Sequence, residues 1–320
     1  MTVVTDQLHL STASPHLDAA YAAAGTAARA ADVEIRCLES IGELEAVRRL
    51  YERIWRTGET SPIVTADLLR ALAKAGSYVS GAFIGDELVG SCFGFFSPPA
   101  RAALHSHIAG VLPQARRRQV GFALKLHQRA WTLAHGIGEI CWTYDPLVRR
   151  NAYFNIAKLA ADPAEYLPDF YGPIDDGINR SDHSDRILVR WDLESPDAMA
   201  AAAGRPRHTD TRDAAVALGV SKGGAPARSR DEERAGTVLV AVPEDIEALR
   251  GTDPACAASW RAAVREVLGE LLADGGRVSG FDPAGWYLVD REGPAGSTHS
   301  PGGGSHPYAA RSDDMSQETA

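Results

Sequence analysis

Apolar and polar positions alternate from Val33 to Leu38, in Val-Glu-Ile-Arg-Cys-Leu, with the two-residue period of a half-buried strand. The period then lengthens. In IGELEAVRRLYERIW, Leu44, Val47, Leu50, Tyr51 and Ile54 share one face of a helix. Ser40 ahead of it and Glu43 three residues on spell a capping box. A second helix is predicted from about Thr65, with Leu68, Leu69, Leu72 and Ala73 as its stripe and Gly76 as its stop. Residues 78–84 and 88–96 read as a hairpin turned at Gly85-Asp86-Glu87. A strand over 104–112 follows and runs into Pro113. The next helix carries Val120, Ala123, Leu124, His127, Trp131 and Ala134 on one face and ends at Gly136. A short strand over 140–143 is closed by Asp145-Pro146, and a helix is predicted over 151–161. An acidic, aromatic stretch over 162–184 holds a strand around Tyr166, and residues 187–193 form the last strand of this unit.

This order predicts an α/β domain with a mixed sheet over 33–193. Before it, the Ala-rich residues 1–32 show no apolar face to dock and are expected to form a flexible or weakly helical arm. After it, residues 194–236 turn to Ala, Gly, Arg, Ser and Asp without periodicity, the composition of a linker. A small β-α-β-β unit is expected over 237–291. Its helix is capped by Asp253 with Pro254 in the first position, and its stripe is Ala257, Trp260, Val264, Val267, Leu268 and Leu271. So small a unit is expected to pack on the main domain or on a second copy, which leaves a homodimer open. Residues 292–320, with PGGGSHP, read as a disordered tail.

Composition narrows the function classes. The 320 residues carry 33 Lys plus Arg against 42 Asp plus Glu, a formal charge of -9. Such a balance disfavours nucleic acid as a partner unless positive charge is focused on one face. The four cysteines, Cys37, Cys92, Cys141 and Cys256, are widely spaced and read as reduced thiols. The start MTVVTDQLHLSTASPHLD has no basic region before an apolar run, and no stretch approaches a membrane span. The expected location is the cytoplasm, with no membrane partner.

Positive charge is focused in one place, VLPQARRRQVGFALK. Strand, proline, basic turn and helix make a phosphate-binding arrangement. Unpaired N–H groups and the positive dipole end open the helix, and arginine adds charge-assisted hydrogen bonds. Just before it, His105 and His107 flank Ser106 and share a strand face. Either suits a proton relay, because imidazole titrates near neutral pH. No third ligand accompanies them at metal-site spacing, so no metal is expected. Asp145 reads as a turn residue that could also face an acceptor amine. SDHSDR over 181–186 holds the letters of a hydrolase triad, but six adjacent residues cannot converge in triad geometry.

The stretch after Val111 and the order of elements resemble the GNAT acyl-coenzyme A N-acyltransferases. LHSHIAGVLP, WTYDPLVRRNAYFNIAKL and the SDR before the last strand are similar to a branch of predicted acetyltransferases in that superfamily. VLVAVPEDIEALR and SWRAAVREVL look like that branch's appended C-terminal unit. The resemblance implies a mostly antiparallel sheet flanked by helices and transfer of an acyl group from coenzyme A to a small amine or amino acid. Acetyl-CoA is the default donor, and succinyl-CoA is the alternative. The family's Arg/Gln-x-x-Gly-x-Gly/Ala loop fits in two registers, Arg116-x-x-Gln119-x-Gly121 or Arg118-x-x-Gly121-x-Ala123. The helix stripe favours the first, which puts Gln119 where the family has glycine.

By resemblance the cofactor is held by Val111, Arg116, Arg117, Arg118, Gln119, Val120, Gly121, Phe122 and Ala123, with Asn151 and Asn155 from the following helix. A backbone N–H near Ala109 to Val111 would polarise the thioester, and Tyr153 would protonate the leaving thiolate. The offsets of Tyr153, Asn151 and Asn155 depart from the family's usual Asn/Tyr pattern. The candidate catalytic set is then His107, His105, Tyr153 and Asp145. The competing reading is a degenerate relative that binds ligand with little or no turnover.

Overall fold

The computed structural model describes residues 15–57, 62–172, 182–229 and 235–291. β1 (Glu34–Cys37), β2 (Tyr78–Ile84), β3 (Glu87–Phe96), β4 (Ala103–Val111), β5 (Glu139–Tyr144), β6 (Asp162–Leu167) and β7 (Arg186–Asp192) form one sheet in the order β1-β2-β3-β4-β5-β7-β6. All neighbours are antiparallel except β4 and β5, which run parallel. The mixed, mostly antiparallel sheet expected from the sequence is therefore present.

Helices cover both faces. α1 (Pro15–Ala31) packs on α4 (Val120–Ala134), which lies against the sheet; α2 (Ile41–Trp55) and α3 (Ala66–Lys74) cover the opposite face. Along β3, Cys92 joins the core under α4 while Phe93 joins the core under α2 and α3, as a two-residue period requires. The capping box forms: Glu43 N–H donates to Ser40 Oγ at 3.4 Å and Ser40 N–H to Glu43 Oε2 at 3.2 Å. In α3 the expected stripe shifts, with Leu69 buried and Leu68 exposed.

Three expectations change. Residues 15–31 are a docked helix rather than a flexible arm, and residues 1–14 lie outside the described residues. Its docking face is made of alanine, with Ala20, Ala24 and Ala31 buried and Ala27 partly so. Small side chains allow close helix approach but leave almost no hydrophobic signal in the sequence. α4 thus lies between α1 and the sheet, and its buried residues include Lys125, Gln128, Arg129 and Thr132. Second, the stretch read as a linker holds α6 (Pro196–Ala202), β8 (Ala215–Val220) and β9 (Pro226–Arg228). Their short lengths hide any period.

Third, the small unit is larger than β-α-β-β. Its strands β10 (Thr237–Ala241), β11 (Arg277–Asp282) and β12 (Trp286–Asp290) join β8 and β9 in a second sheet, ordered β11-β12-β10-β8-β9, with β8 parallel to β10. Between β10 and β11 lie α7 (Ile246–Thr252) and α8 (Pro254–Ala273). Asp253 caps α8 as expected, accepting from Cys256 N–H at 3.0 Å. α8 packs on β6 of the first sheet, and one apolar cluster runs through both units. Among the described residues no helix is long and apolar enough to cross a membrane.

Candidate active site

The parallel pair β4–β5 is brief. Ala103, Leu104 and His105 pair with Glu139, Ile140 and Cys141. Beyond them β4 stays paired to β3 as far as Val111, and β5 stays paired to β7 as far as Tyr144. The two strands therefore diverge and open a wedge in the middle of the sheet. A bulge marks the same place: Ile108 pairs with Phe93 and Ser106 with Gly94, leaving His107 as the extra residue. Gly94 permits the approach, because a Cβ there would stand 2.5 Å from the His105 carbonyl oxygen.

The basic turn sits at the end of β4. Residues Pro113–Arg118 form a 3₁₀ turn, and α4 begins at Val120. Between them Gln119 is left-handed, with φ 63° and ψ 19°, a conformation that glycine adopts without cost. Gly121 has no positive φ, and a Cβ there would meet only Val111, at 3.9 Å. The backbone thus puts the glycine-demanding position at Gln119, as the preferred register has it.

The Gln119 carbonyl accepts from the N–H groups of Phe122 and Ala123, so those two amides already have partners. Gln119 Oε1 accepts from Lys158 Nζ at 3.0 Å, and that ammonium lies 4.8 Å from the centre of the Phe122 ring. Lys158 comes from the helix beyond β5. α5 (Arg149–Ala152) passes there into a π-turn, Tyr153–Lys158. The Gln119–Lys158 contact therefore spans the two sides of the wedge. Periodicity did not flag Lys158, because the π-turn shifts its phase relative to an α-helix.

Replacing Gln119 with glycine tests this geometry. Relief of the left-handed backbone is worth about 1 kcal/mol, and the lost Lys158 contact costs a similar amount. We expect thermal unfolding to show stability within about 1 kcal/mol of wild type. A loss well beyond that would mean that the bridge, rather than the backbone, holds the loop.

Other candidates separate. Arg116 and Arg117 are exposed and form no ion pair among the described residues. Arg118 instead pairs with Asp32 at 2.6 Å, which ties the loop to the end of α1. Val111 is half-buried at the end of β4; Asn151 and Tyr153 are half-buried beyond β5. Asn155 is not at the surface expected of a cofactor contact: it is buried, and its Oδ1 accepts from Trp142 Nε1 at 3.2 Å.

Asp145 does not face an acceptor. Arg261 binds both of its oxygens, at 2.8 and 2.9 Å, and Arg250 binds Oδ2 at 2.6 Å. The same two arginines hold Asp182. Burial pushes the Asp145 carboxyl up, but Arg261 and Arg250 outweigh it and hold it well below the usual range. Asp145 is thus a structural anchor for α7 and α8, which sequence reading could not foresee across more than one hundred residues.

The two histidines share a face with Phe95. Ring centres lie 5.1 Å from Phe95 for His105, 5.7 Å from Phe95 for His107, and 5.7 Å apart. Burial, then the nearby charges of His107, Lys125 and Arg101, push His105 down to about 4, and burial lowers His107. At about 4, His105 is neutral near pH 7 and a weaker base than a free imidazole, and His107 shifts in the same sense. Behind them, on the α4 face, sits a residue outside the candidate list, Lys125. It is 4% exposed, its Nζ donates to Ser106 Oγ at 2.8 Å, and burial pushes it down to about 8.

No family model matches the chain, and no curated protein matches it significantly. Solved structures do match. The N-acetyltransferase from Staphylococcus aureus Mu50 is 16% identical, covering 51% of this chain and 99% of its own, with a TM-score of 0.43. The ribosomal-protein-S18-alanine N-acetyltransferase from Escherichia coli is 13% identical, over 51% of this chain and 95% of its own, with a TM-score of 0.42. The GNAT-family acetyltransferase from Streptococcus pneumoniae is 13% identical, over 49% of this chain and 98% of its own, also with a TM-score of 0.42.

Proposed function

We propose that the chain is an acyl-coenzyme A-dependent N-acyltransferase of the GNAT type, acting on a small amine or amino acid. The observation that carries this reading is the wedge between β4 and β5, flanked by the start of α4 and by Lys158. The residues present suit the co-substrate. Exposed Arg116 and Arg117 and the first-turn amides of Val120 and Gly121 supply donors for a pyrophosphate. The slot between diverging strands suits an extended thiol arm, whose thioester would be polarised by β4 N–H groups between Ala109 and Val111.

Each remaining role follows from position. The acceptor amine must lose a proton before it attacks. His107, whose ring lies against Phe93 and Phe95 on the sheet face opposite α4, is the better placed acceptor, with His105 behind it. Tyr153, across the wedge, is the candidate donor to the leaving thiolate. Neither a metal nor Asp145 has a part in this scheme.

The test is calorimetric titration of the full chain with acetyl-CoA and succinyl-CoA, followed by a thiol-release assay against a panel of amines and amino acids. We expect saturable binding and acyl transfer. No binding of either thioester at millimolar concentration would sink the reading. The Gln119–Lys158 bridge across the wedge favours a second reading, a ligand-binding relative without turnover; binding with no thiol release from any acceptor would select it.

A further inference from the structure

Past β5 the helix changes pitch. The Tyr153 N–H donates to the Arg149 carbonyl, four residues back, as in an α-helix. The Leu159 N–H donates instead to the Phe154 carbonyl, five residues back, at 2.9 Å. Pitch decides which side chains share a side. Residues five apart lie about 140° around the axis of an α-helix. A π-turn, which bonds each residue to the one five along, brings such a pair nearly into line. Tyr153 and Lys158 are five apart and bound this π-turn. It therefore aligns the candidate acid with the ammonium that reaches Gln119 across the wedge.

The turn ends on a second strain, because Ala160 is left-handed at φ 56°. Such backbone persists only where its surroundings over-determine it. Here the fastening comes from beyond β7. Arg207, between α6 and β8, donates its N–H to the Ala157 carbonyl at 2.8 Å and its Nη2 to the Ala160 carbonyl at 3.3 Å. Asp162, at 3.0 Å, and Asp197, at 3.2 Å, hold that guanidinium in place, and its side chain is 13% exposed. At the other end of the helix Arg149 Nε donates at 2.9 Å to the carbonyl of Pro283, in the turn between β11 and β12. Gly285 in that turn admits the arginine, since a Cβ there would stand 3.1 Å from Arg149 Nε.

Resting on the acyltransferase reading, we infer that Arg207 is a positioning residue for Tyr153 and Lys158. By holding two carbonyls at the end of the π-turn it keeps the segment out of α-helical phase. Released, the segment relaxes toward α-helical pairing, Tyr153 and Lys158 part around the axis, and the wedge keeps only one of them.

The experiment has two arms, both on the full chain. Hydrogen exchange reads the fastening: peptides spanning 150–161 should exchange about 10-fold faster in Arg207→Met, with peptides from β5 and β7 unchanged. Thiol release from acetyl-CoA, with the best acceptor of the amine and amino-acid panel, reads the role: kcat should fall about 10- to 100-fold. The double variant Tyr153→Phe, Lys158→Met should lose at least as much. Adding Arg207→Met to it should cost nothing further, because the groups that Arg207 positions are gone. An arginine with a merely structural role would weaken both backgrounds alike. Unchanged exchange, wild-type kcat in Arg207→Met, wild-type kcat in the double variant, or a full further loss on adding Arg207→Met would each overturn the inference and leave the acyltransferase reading standing. No turnover by the wild type would overturn both. Arg207→Lys keeps a charge beside Asp162 and Asp197 but cannot span them and the Ala160 carbonyl. It takes the place of Arg207→Met, with the same outcomes, if that variant does not fold.

Discussion

Asp145→Ala is expected to destabilise the protein by about 3–5 kcal/mol, the cost of stranding buried charge. The side chains of Arg250 and Arg261 are each 3% exposed, and Asp145 is their shared partner. Removing it leaves two guanidinium groups with Asp182 alone. They are already short of acceptors, since Arg250 Nη1 and Arg261 Nε have no partner. Urea unfolding of wild type and variant checks the magnitude, and a loss below about 1 kcal/mol would mean the network relaxes into water.

The pH dependence gives a second readout. The folded Asp145 carboxyl lies below its unfolded value, so its contribution is present above the unfolded pKa. It is lost as pH falls through the folded one. The gap between wild type and variant should stay constant from pH 8 to 5 and shrink below about pH 4.

Gly94→Ala is expected to cost about 2–3 kcal/mol, at the upper end for a single added methyl. Its Cβ would stand 2.5 Å from the His105 carbonyl and 3.1 Å from Ser106 Cα, and neither is a side-chain tip that can swing away. β3 and β4 must part, and the bulge that presents His107 on one face and Ser106 on the other must shift. If the proposed activity is present, kcat/KM should fall by about 100-fold, since a displacement near 1 Å in a catalytic group has that effect. Native stability with native turnover would show that the bulge slides freely and does not position the site.

Much of the first unit was legible because its elements are long and its periods clean. The capping box at Ser40 and the Asp253 cap are local chemistry, and both formed as read. The start of α4 was legible for a related reason: its stripe began at Val120, and Val120, Ala123 and Leu124 are buried. What was not legible depends on contacts distant in sequence. The alanine face of α1 carries meaning only once α4 lies against it. β8 is too short to declare itself without β10 beside it. Lys125 falls in a helix as an ordinary polar residue, and only the divergence of two strands makes its position unusual. Asp145 makes the turn that was read, accepting from Leu147 N–H at 2.9 Å, but nothing local in the sequence announces the two arginines that clamp it.

That clamp also bears on how the wedge can move. Its two jaws differ in stiffness. The β5 jaw ends at Tyr144, and the next residue is locked by guanidinium groups to α7 and α8. The opposing jaw carries the loop ahead of α4, held across the gap by one hydrogen bond from Lys158. Strain imposed by an entering ligand will be relieved on the soft side. The second unit thus serves as an abutment for the cleft, and a substitution in α8 that loosens it should be felt as slack at the strand tip rather than as a lost contact.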